Sequence, residues 1–300
     1  MKLLAATKLI RPKQWTKNLL VFAALIFAHE YGDPMNVMLA VVAFFALCLF
    51  SSSIYALNDV LDAERDRAHP TKMHRPIAKG DLTPNTGLFV SFAALTIGTL
   101  LAAFVGPSFL AGVFGYLVLQ LLYNFWLKHI PVVDVMVIST GFVMRAALGA
   151  IAINAFISGW LLFCTGMLAL LLASAKRRHE FHLQGDDRGQ SRAALLGYTV
   201  QSLDAMVVFS AAVAAIAYGV YAIESDTAQK YSSLILTVPF VLFGILRYLF
   251  LTFAKGDGGE PENILLNDWQ IIASVVLFVA AAFYALSGFD VPLFINPTRG

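Results

Sequence analysis

Apolar residues in this chain gather into long continuous runs rather than alternating or returning every third or fourth position. A helix needs a run of about 20 such residues to cross the hydrocarbon core of a bilayer. Bounded by polar residues, Gly or Pro, the runs predict nine spans, at 16–29, 36–57, 86–105, 108–127, 132–153, 157–175, 199–222, 232–254 and 269–287. The stretch at 16–29 is the shortest, so eight is the competing count, with that stretch tilted or partly interfacial. Its basic leader resembles that of a signal peptide, but Trp15 and Lys17 abut the apolar run and a clear small-residue cleavage site is missing. The predicted fold is all-α: a polytopic membrane helix bundle of about nine transmembrane helices, forming a single integral membrane domain over residues 1–300.

Composition narrows the function classes. Hydrophobic residues make up 59% of the chain and charged residues 13%, too few charges to cover a soluble surface. That balance excludes a disordered chain, an ordinary cytosolic enzyme and a nucleic-acid-binding domain. Cys48 and Cys164 both lie inside apolar runs, without CxxC spacing or a His neighbour, and read as packing residues. The net charge of +2 says little, but its distribution says more. Of the 21 Lys and Arg residues, 17 fall in the N-terminal segment or the loops on one side, which the positive-inside rule assigns to the cytoplasm. Lys230 and Arg299 fall on the other side, and Arg145 and Arg247 within spans. The N-terminus is therefore expected inside and, after nine spans, the C-terminus outside.

Function is expected on the cytoplasmic face, where the loops at 58–85 and 176–198 are long and dense in both signs of charge. They lie four helices apart, which hints at two four-helix halves. In the first loop, Asn58, Asp62 and Asp66 recur every four residues, so a continuing helix would line them up as one stripe of oxygen ligands beside Asp59. Two carboxylates and an amide suit Mg²⁺, which prefers oxygen and often shares its shell with substrate phosphates. A solvated helix end with Asp62, Arg65, Asp66 and Arg67 in local ion pairs is the alternative. Downstream, Pro70 and Pro76 bracket Lys72, His74 and Arg75, either a phosphate cradle or a basic loop on anionic headgroups.

The second loop opens with Lys176, Arg177 and Arg178, followed by Glu180, and its basic residues run to Arg192. Three adjacent cations point in different directions around a helix, so at most two face a cavity. His179 and His182 lack a matching third ligand for a metal. Asp134 and Arg145, 11 residues apart, share a face of the fifth predicted span, and an ionisable residue there is a functional candidate by default. Asp204 and Arg247 read as bundle-stabilising pairs, and Tyr123, Asn124 and Lys128 end the fourth span on the cytoplasmic side. The segment RPKQWTKN, Arg11 to Asn18, is an aromatic and basic belt, and the Gly-rich 256–263 is a connector.

The stretch NDVLDAERDRAHPTKMHRPIAKG after the second predicted span, with RPKQWTKN and KRRHE, resembles the UbiA superfamily of intramembrane prenyltransferases. HPTKxxRP and KRRxE are similar to its decaprenyl-phosphate phosphoribosyltransferase branch. The resemblance implies a UbiA-like fold in a bacterial plasma membrane and transfer of 5-phosphoribose from phosphoribosyl diphosphate to a polyprenyl phosphate, with release of pyrophosphate. It implies Mg²⁺ on Asn58, Asp62 and Asp66, and catalytic roles for Asp62, Asp66, Lys176 and Arg177. Substrate contacts would come from Lys17, Asn58, Lys72, Arg75, Tyr123, Lys128, Arg145, Arg178 and Glu180. Partners would be the sugar donor, the lipid and the membrane, with no nucleic acid and with room for a homo-oligomer. Where aromatic prenyltransferases of the superfamily carry a second Asp-rich motif, this chain has Lys176, Arg177 and Arg178, with Glu180, Asp186 and Asp187 nearby. Prenyl transfer to an aromatic acceptor is the enzymatic alternative. A transporter is the alternative of another class, opposed by polar residues that concentrate on one face.

Overall fold

The computed structural model describes residues 2–67, 72–156, 158–184, 193–254, 264 and 267–287, and every described helix is short or membrane-length. The α-helices are α1 (Lys2–Ile10), α2 (Phe22–Phe27), α3 (Pro34–Leu61), α4 (Ala63–Arg67), α5 (Pro84–Val105), α6 (Pro107–Phe125), α7 (Val133–Ala152), α8 (Gly159–Gln184), α9 (Val200–Glu224), α10 (Asp226–Lys230), α11 (Val238–Ala254) and α12 (Trp269–Leu286). Eight helices among the described residues are long and apolar enough to cross a membrane, and the chain is an integral membrane protein. That is one fewer than the nine the runs predict. The difference lies at 16–29, where Arg11 takes a left-handed φ of 51° and Pro12 opens a 3₁₀ helix, Pro12–Val21, that hands over to the six-residue α2. A 3₁₀ helix rises about 2.0 Å per residue against 1.5 Å for an α-helix, so this short stretch extends about 29 Å. Its three-residue period places Trp15, Asn18 and Val21 on one face, and Asn18 and Val21 are buried.

The chain divides into two compact units, Met1–Phe125 with Met144–Phe156, and Trp126–Val143 with Ile157–Gly300. The first unit is packed around Leu47, Phe50, Phe109, Val113, Tyr116 and Leu148. Lipid tails are as apolar as Leu, so membrane helices gain from small residues that let them approach closely. A Cβ on Gly112 would lie 2.5 Å from Leu148, and one on Gly149 would lie 2.1 Å from the Val21 carbonyl oxygen. A smaller cluster of Leu9, Ala56, Ala63, Ile77 and Leu82 folds the segment after α4 back onto α1 and α3. Asp33 and Thr83 cap α3 and α5, each followed by Pro at the first helical position, where the missing N–H costs nothing.

The second unit is packed around Leu171, Val207, Ala211, Ile245, Tyr248 and Leu251 of α8, α9 and α11. Here α8 continues to Gln184, past the expected end at 175, so Lys176 to Gln184 is helix rather than loop. Lys, Arg, Glu and Gln are good helix formers, and nothing in KRRHEFHLQ stops the helix where apolarity ends. Thr199 and Ser202 form a reciprocal capping box at the start of α9.

Candidate active site

In the first unit, α3 ends at Leu61, yet the i+4 hydrogen bonding runs on: Asp62 N–H donates to Asn58 O and Asp66 N–H to Asp62 O. The four-residue recurrence of Asn58, Asp62 and Asp66 therefore survives the turn at Asp62. The stripe is not uniform. Asp66 is buried, contrary to a solvated helix end, whereas Asn58 and Asp62 are partly exposed. Asp59 is buried too, and accepts from Arg11 Nη2 at 2.5 Å. Arg75 Nη1 lies 2.6 Å from Asp66 Oδ2 and 3.2 Å from Asp59 Oδ1, bridging the two acids. Arg75 gets there because Lys72–His74 form a 3₁₀ turn and Pro76, Ile77 and Ala78 are buried behind it. Pro70 lies outside the described residues.

The belt segment does more than anchor a helix. Arg11, which also stacks over the Tyr55 ring at 4.9 Å, pairs with Asp59, and Trp15 Nε1 donates to Ser52 Oγ at 3.1 Å. Asn18 Nδ2 donates to Cys48 Sγ at 3.2 Å, while its Oδ1 accepts from Arg145 Nε at 2.8 Å. Arg145 also donates to Tyr116 OH at 2.5 Å and sits over that ring. Buried at 6% exposure, it is held inside the first unit by these polar groups, and Asp134 is not among its described partners.

Asp134 serves a second network, wholly within the second unit. Its Oδ2 accepts from Arg177 Nε at 2.5 Å, and its Oδ1 accepts from Tyr198 OH at 2.7 Å. Tyr198 OH also accepts the backbone N–H of Val132 at 2.6 Å, and Val132 holds a left-handed φ of 67° that a β-branched residue seldom adopts. Burial first, then the bond to Asp134, pushes the Tyr198 phenol above its ordinary range, so it stays protonated and donates. Arg177 Nη1 donates to Glu180 Oε2 at 2.5 Å. Arg178 Nε donates to Asp204 Oδ1 at 2.5 Å, its Nη1 donates to the Thr252 carbonyl, and the group lies over Phe253.

The structure places the expected basic residues of the second motif among carboxylates. Arg177, expected to receive substrate phosphate, is 1% exposed and pairs with Asp134 and Glu180. Glu180 accepts from Arg177, and Arg178 pairs with Asp204. Lys17, Lys72, Tyr123, Lys128 and Lys176 are partly buried. Asp186 and Asp187 lie outside the described residues. Sequence reading missed the pairing roles of Arg11, Asp59, Asn18, Tyr116 and Tyr198. For Arg11 and Asp59, 48 residues apart, the only signal was their opposite charge. For Tyr198 there was none.

The donor set suits Mg²⁺. Among the described residues no three His, Cys, Asp or Glu side chains group as a ready cage. Mg²⁺ does not need one, since it keeps several waters and is bound by one or two carboxylates plus substrate phosphates. Asn58 and Asp62 remain accessible, Asp62 forms no ion pair among the described residues, and one oxygen of Asp66 is taken by Arg75.

Comparison with known proteins gives these residues their context. The model of the UbiA prenyltransferase family matches residues 19–249. The chain belongs to the UbiA prenyltransferase family. Within the UbiA family it is 34% identical, over 94% of its length and 87% of the relative's, to a decaprenyl-phosphate phosphoribosyltransferase of Corynebacterium glutamicum. It is 37% identical to the Mycolicibacterium smegmatis protein of that name, over 87% of this chain and 86% of the relative. The Mycobacterium tuberculosis protein of the same name is 35% identical over 94% and 92% of the two chains. A UbiA homolog from Archaeoglobus fulgidus, solved bound to GPP and Mg²⁺, superposes with a TM-score of 0.71 over 94% of this chain and 99% of that one at 18% identity, a likeness of fold.

Proposed function

We propose that this UbiA-family protein transfers 5-phosphoribose from phosphoribosyl diphosphate to a polyprenyl phosphate, decaprenyl phosphate being the lipid its curated relatives are named for. One observation carries the choice over prenyl transfer: where a prenyl diphosphate anchored by metal on both motifs would need a second acidic motif, α8 carries Lys176, Arg177 and Arg178, and Asp134, Glu180 and Asp204 each accept from Arg177 or Arg178.

In the reaction, an oxygen of the lipid phosphate bonds to C1 of the ribose, and the bond from C1 to the diphosphate breaks with its electron pair leaving on pyrophosphate. The attacking phosphate is already anionic at neutral pH, so no strong general base is required. Asn58, Asp62 and Asp66 would hold Mg²⁺, which when bound neutralises the leaving diphosphate. Lys72, Arg75 and Lys176 would receive phosphate oxygens. In the first unit Lys17, Tyr123 and Arg145, the last bonded to Asn18 and Tyr116, would add contacts, and in the second unit Lys128 would add another. Residues 1–300 would work as one membrane domain in a bacterial plasma membrane, with the N-terminus and the segments at 58–85 and 176–198 cytoplasmic and the C-terminus outside, the orientation the 17 basic residues favour. A cysteine introduced at Gly189, which lies outside the described residues, should react only with reagent that crosses the membrane.

The deciding experiment supplies purified protein with Mg²⁺, radiolabelled phosphoribosyl diphosphate and polyprenyl phosphate. Labelled lipid and stoichiometric pyrophosphate are expected, with no prenylation of 4-hydroxybenzoate from polyprenyl diphosphate. The reverse pattern would replace this reading with aromatic prenyl transfer.

A further inference from the structure

Arg75 is placed to exchange partners. It spans Asp59 and Asp66, but unequally: 3.2 Å to Asp59 and 2.6 Å to Asp66. Asp59 has a closer cation of its own, Arg11 at 2.5 Å, so it keeps a full ion pair if Arg75 departs. Among the described residues the Asp66 carboxylate forms its ion pair with Arg75 alone. The Arg75 side chain is 25% exposed and directly follows a short 3₁₀ turn, so the guanidinium can reach water without dismantling the buried residues behind it.

Resting on the metal role proposed above for Asn58, Asp62 and Asp66, we propose that Arg75 and the divalent cation compete for Asp66. Arg75 occupies Asp66 while the metal is away and turns to a phosphate of the sugar donor once the metal has taken the carboxylate. Two positive groups on one carboxylate repel each other, and a guanidinium freed beside a diphosphate has a bidentate acceptor at hand. Metal and donor would then load together. Arg75 is in this view a residue that couples the two, and Arg11 is the fixed counter-charge that makes the exchange affordable to Asp59.

The test uses Mn²⁺ as an electron-paramagnetic probe, titrated alone into the purified full chain in detergent, with no substrate present. Arg75→Gln should tighten Mn²⁺ binding about tenfold, the size of one charge-assisted hydrogen bond removed from competition. Arg75→Lys should fall between it and the unaltered chain. Arg11→Gln should leave Mn²⁺ affinity within about twofold, because it frees Asp59 rather than Asp66. In turnover, Arg75→Gln should raise the KM for the sugar donor more than it lowers kcat. Unchanged or weaker Mn²⁺ binding in a folded Arg75→Gln protein, with binding in the unaltered chain abolished by Asp62→Asn, would overturn the exchange and leave the metal assignment standing. Mn²⁺ binding that survives Asp62→Asn would instead sink the metal assignment itself, along with the exchange that depends on it.

Discussion

Two arginine–carboxylate networks of similar composition sit in the two units, and they are built for different ends. In the first, Arg11 and Arg75 meet Asp59 and Asp66 with both arginine side chains about a quarter exposed, at 27% and 25%. In the second, Arg177 meets Asp134 and Glu180 at 1% exposure, with Tyr198 closing the far side of Asp134. Water can replace a partner in the first network. In the second a lost partner leaves a charge in a medium that cannot solvate it, and breaking a buried pair from one side costs far more than the intact pair contributes. Identical residue types thus give an exchangeable site in one place and a fixed brace in the other, and burial draws the line between them.

The largest effect that could break this contrast is Asp134→Ala. It strands Arg177 and should destabilise the protein by about 3–5 kcal/mol, seen as a collapse of the thermal midpoint in detergent. Arg11→Gln should cost much less, and equal losses would erase the distinction. Next in size, Asp62→Asn should lower turnover about a hundredfold, about 2.7 kcal/mol of barrier, while leaving the thermal midpoint nearly unchanged, because the side chain is partly exposed. Full activity in this variant would take the metal away from the first network. Asp66→Asn should also lose activity, with a measurable stability loss in addition, since that side chain is buried.

Smaller effects sharpen the picture of the brace. Tyr198→Phe removes the donor to Asp134 and the acceptor for Val132 N–H, at a cost of about 1–2 kcal/mol, and hydrogen exchange at the Val132 amide should speed up. A midpoint shift without faster exchange would mean that Tyr198 does not hold the strained turn at Val132. Arg178→Gln is the mildest. Its partner Asp204 is 37% exposed, so the stability loss should stay within about 1 kcal/mol, and a loss as large as that of Asp134→Ala would move Arg178 into the buried network.

Much of the fold was legible because hydrophobic runs act locally. Helix ends fell within a few residues of those expected for α5, α6, α7, α9 and α12. Two misses have local causes. Residues 12–27 cover a span's length with a 3₁₀ helix that passes into a six-residue α-helix, a geometry a hydropathy window cannot sense. The end of α8 was cut short because apolarity stopped at 175 while helix propensity did not.

The sequence by itself determined that the chain is membrane-embedded and all-helical, which segments carry the charges, and that Asn58, Asp62 and Asp66 recur on one side of a helix. Each of these depends on neighbours within one or two turns, where spacing alone sets direction. Only the tertiary structure decided which charges are spent. Arg11 and Asp59 are 48 residues apart, Arg177 and Asp134 are 43 apart, and Arg145 and Asn18 are 127 apart. No periodicity links positions so distant. Their pairing follows from how helices pack, and packing also sets the burial that fixes Arg177 in place and leaves Arg75 able to move.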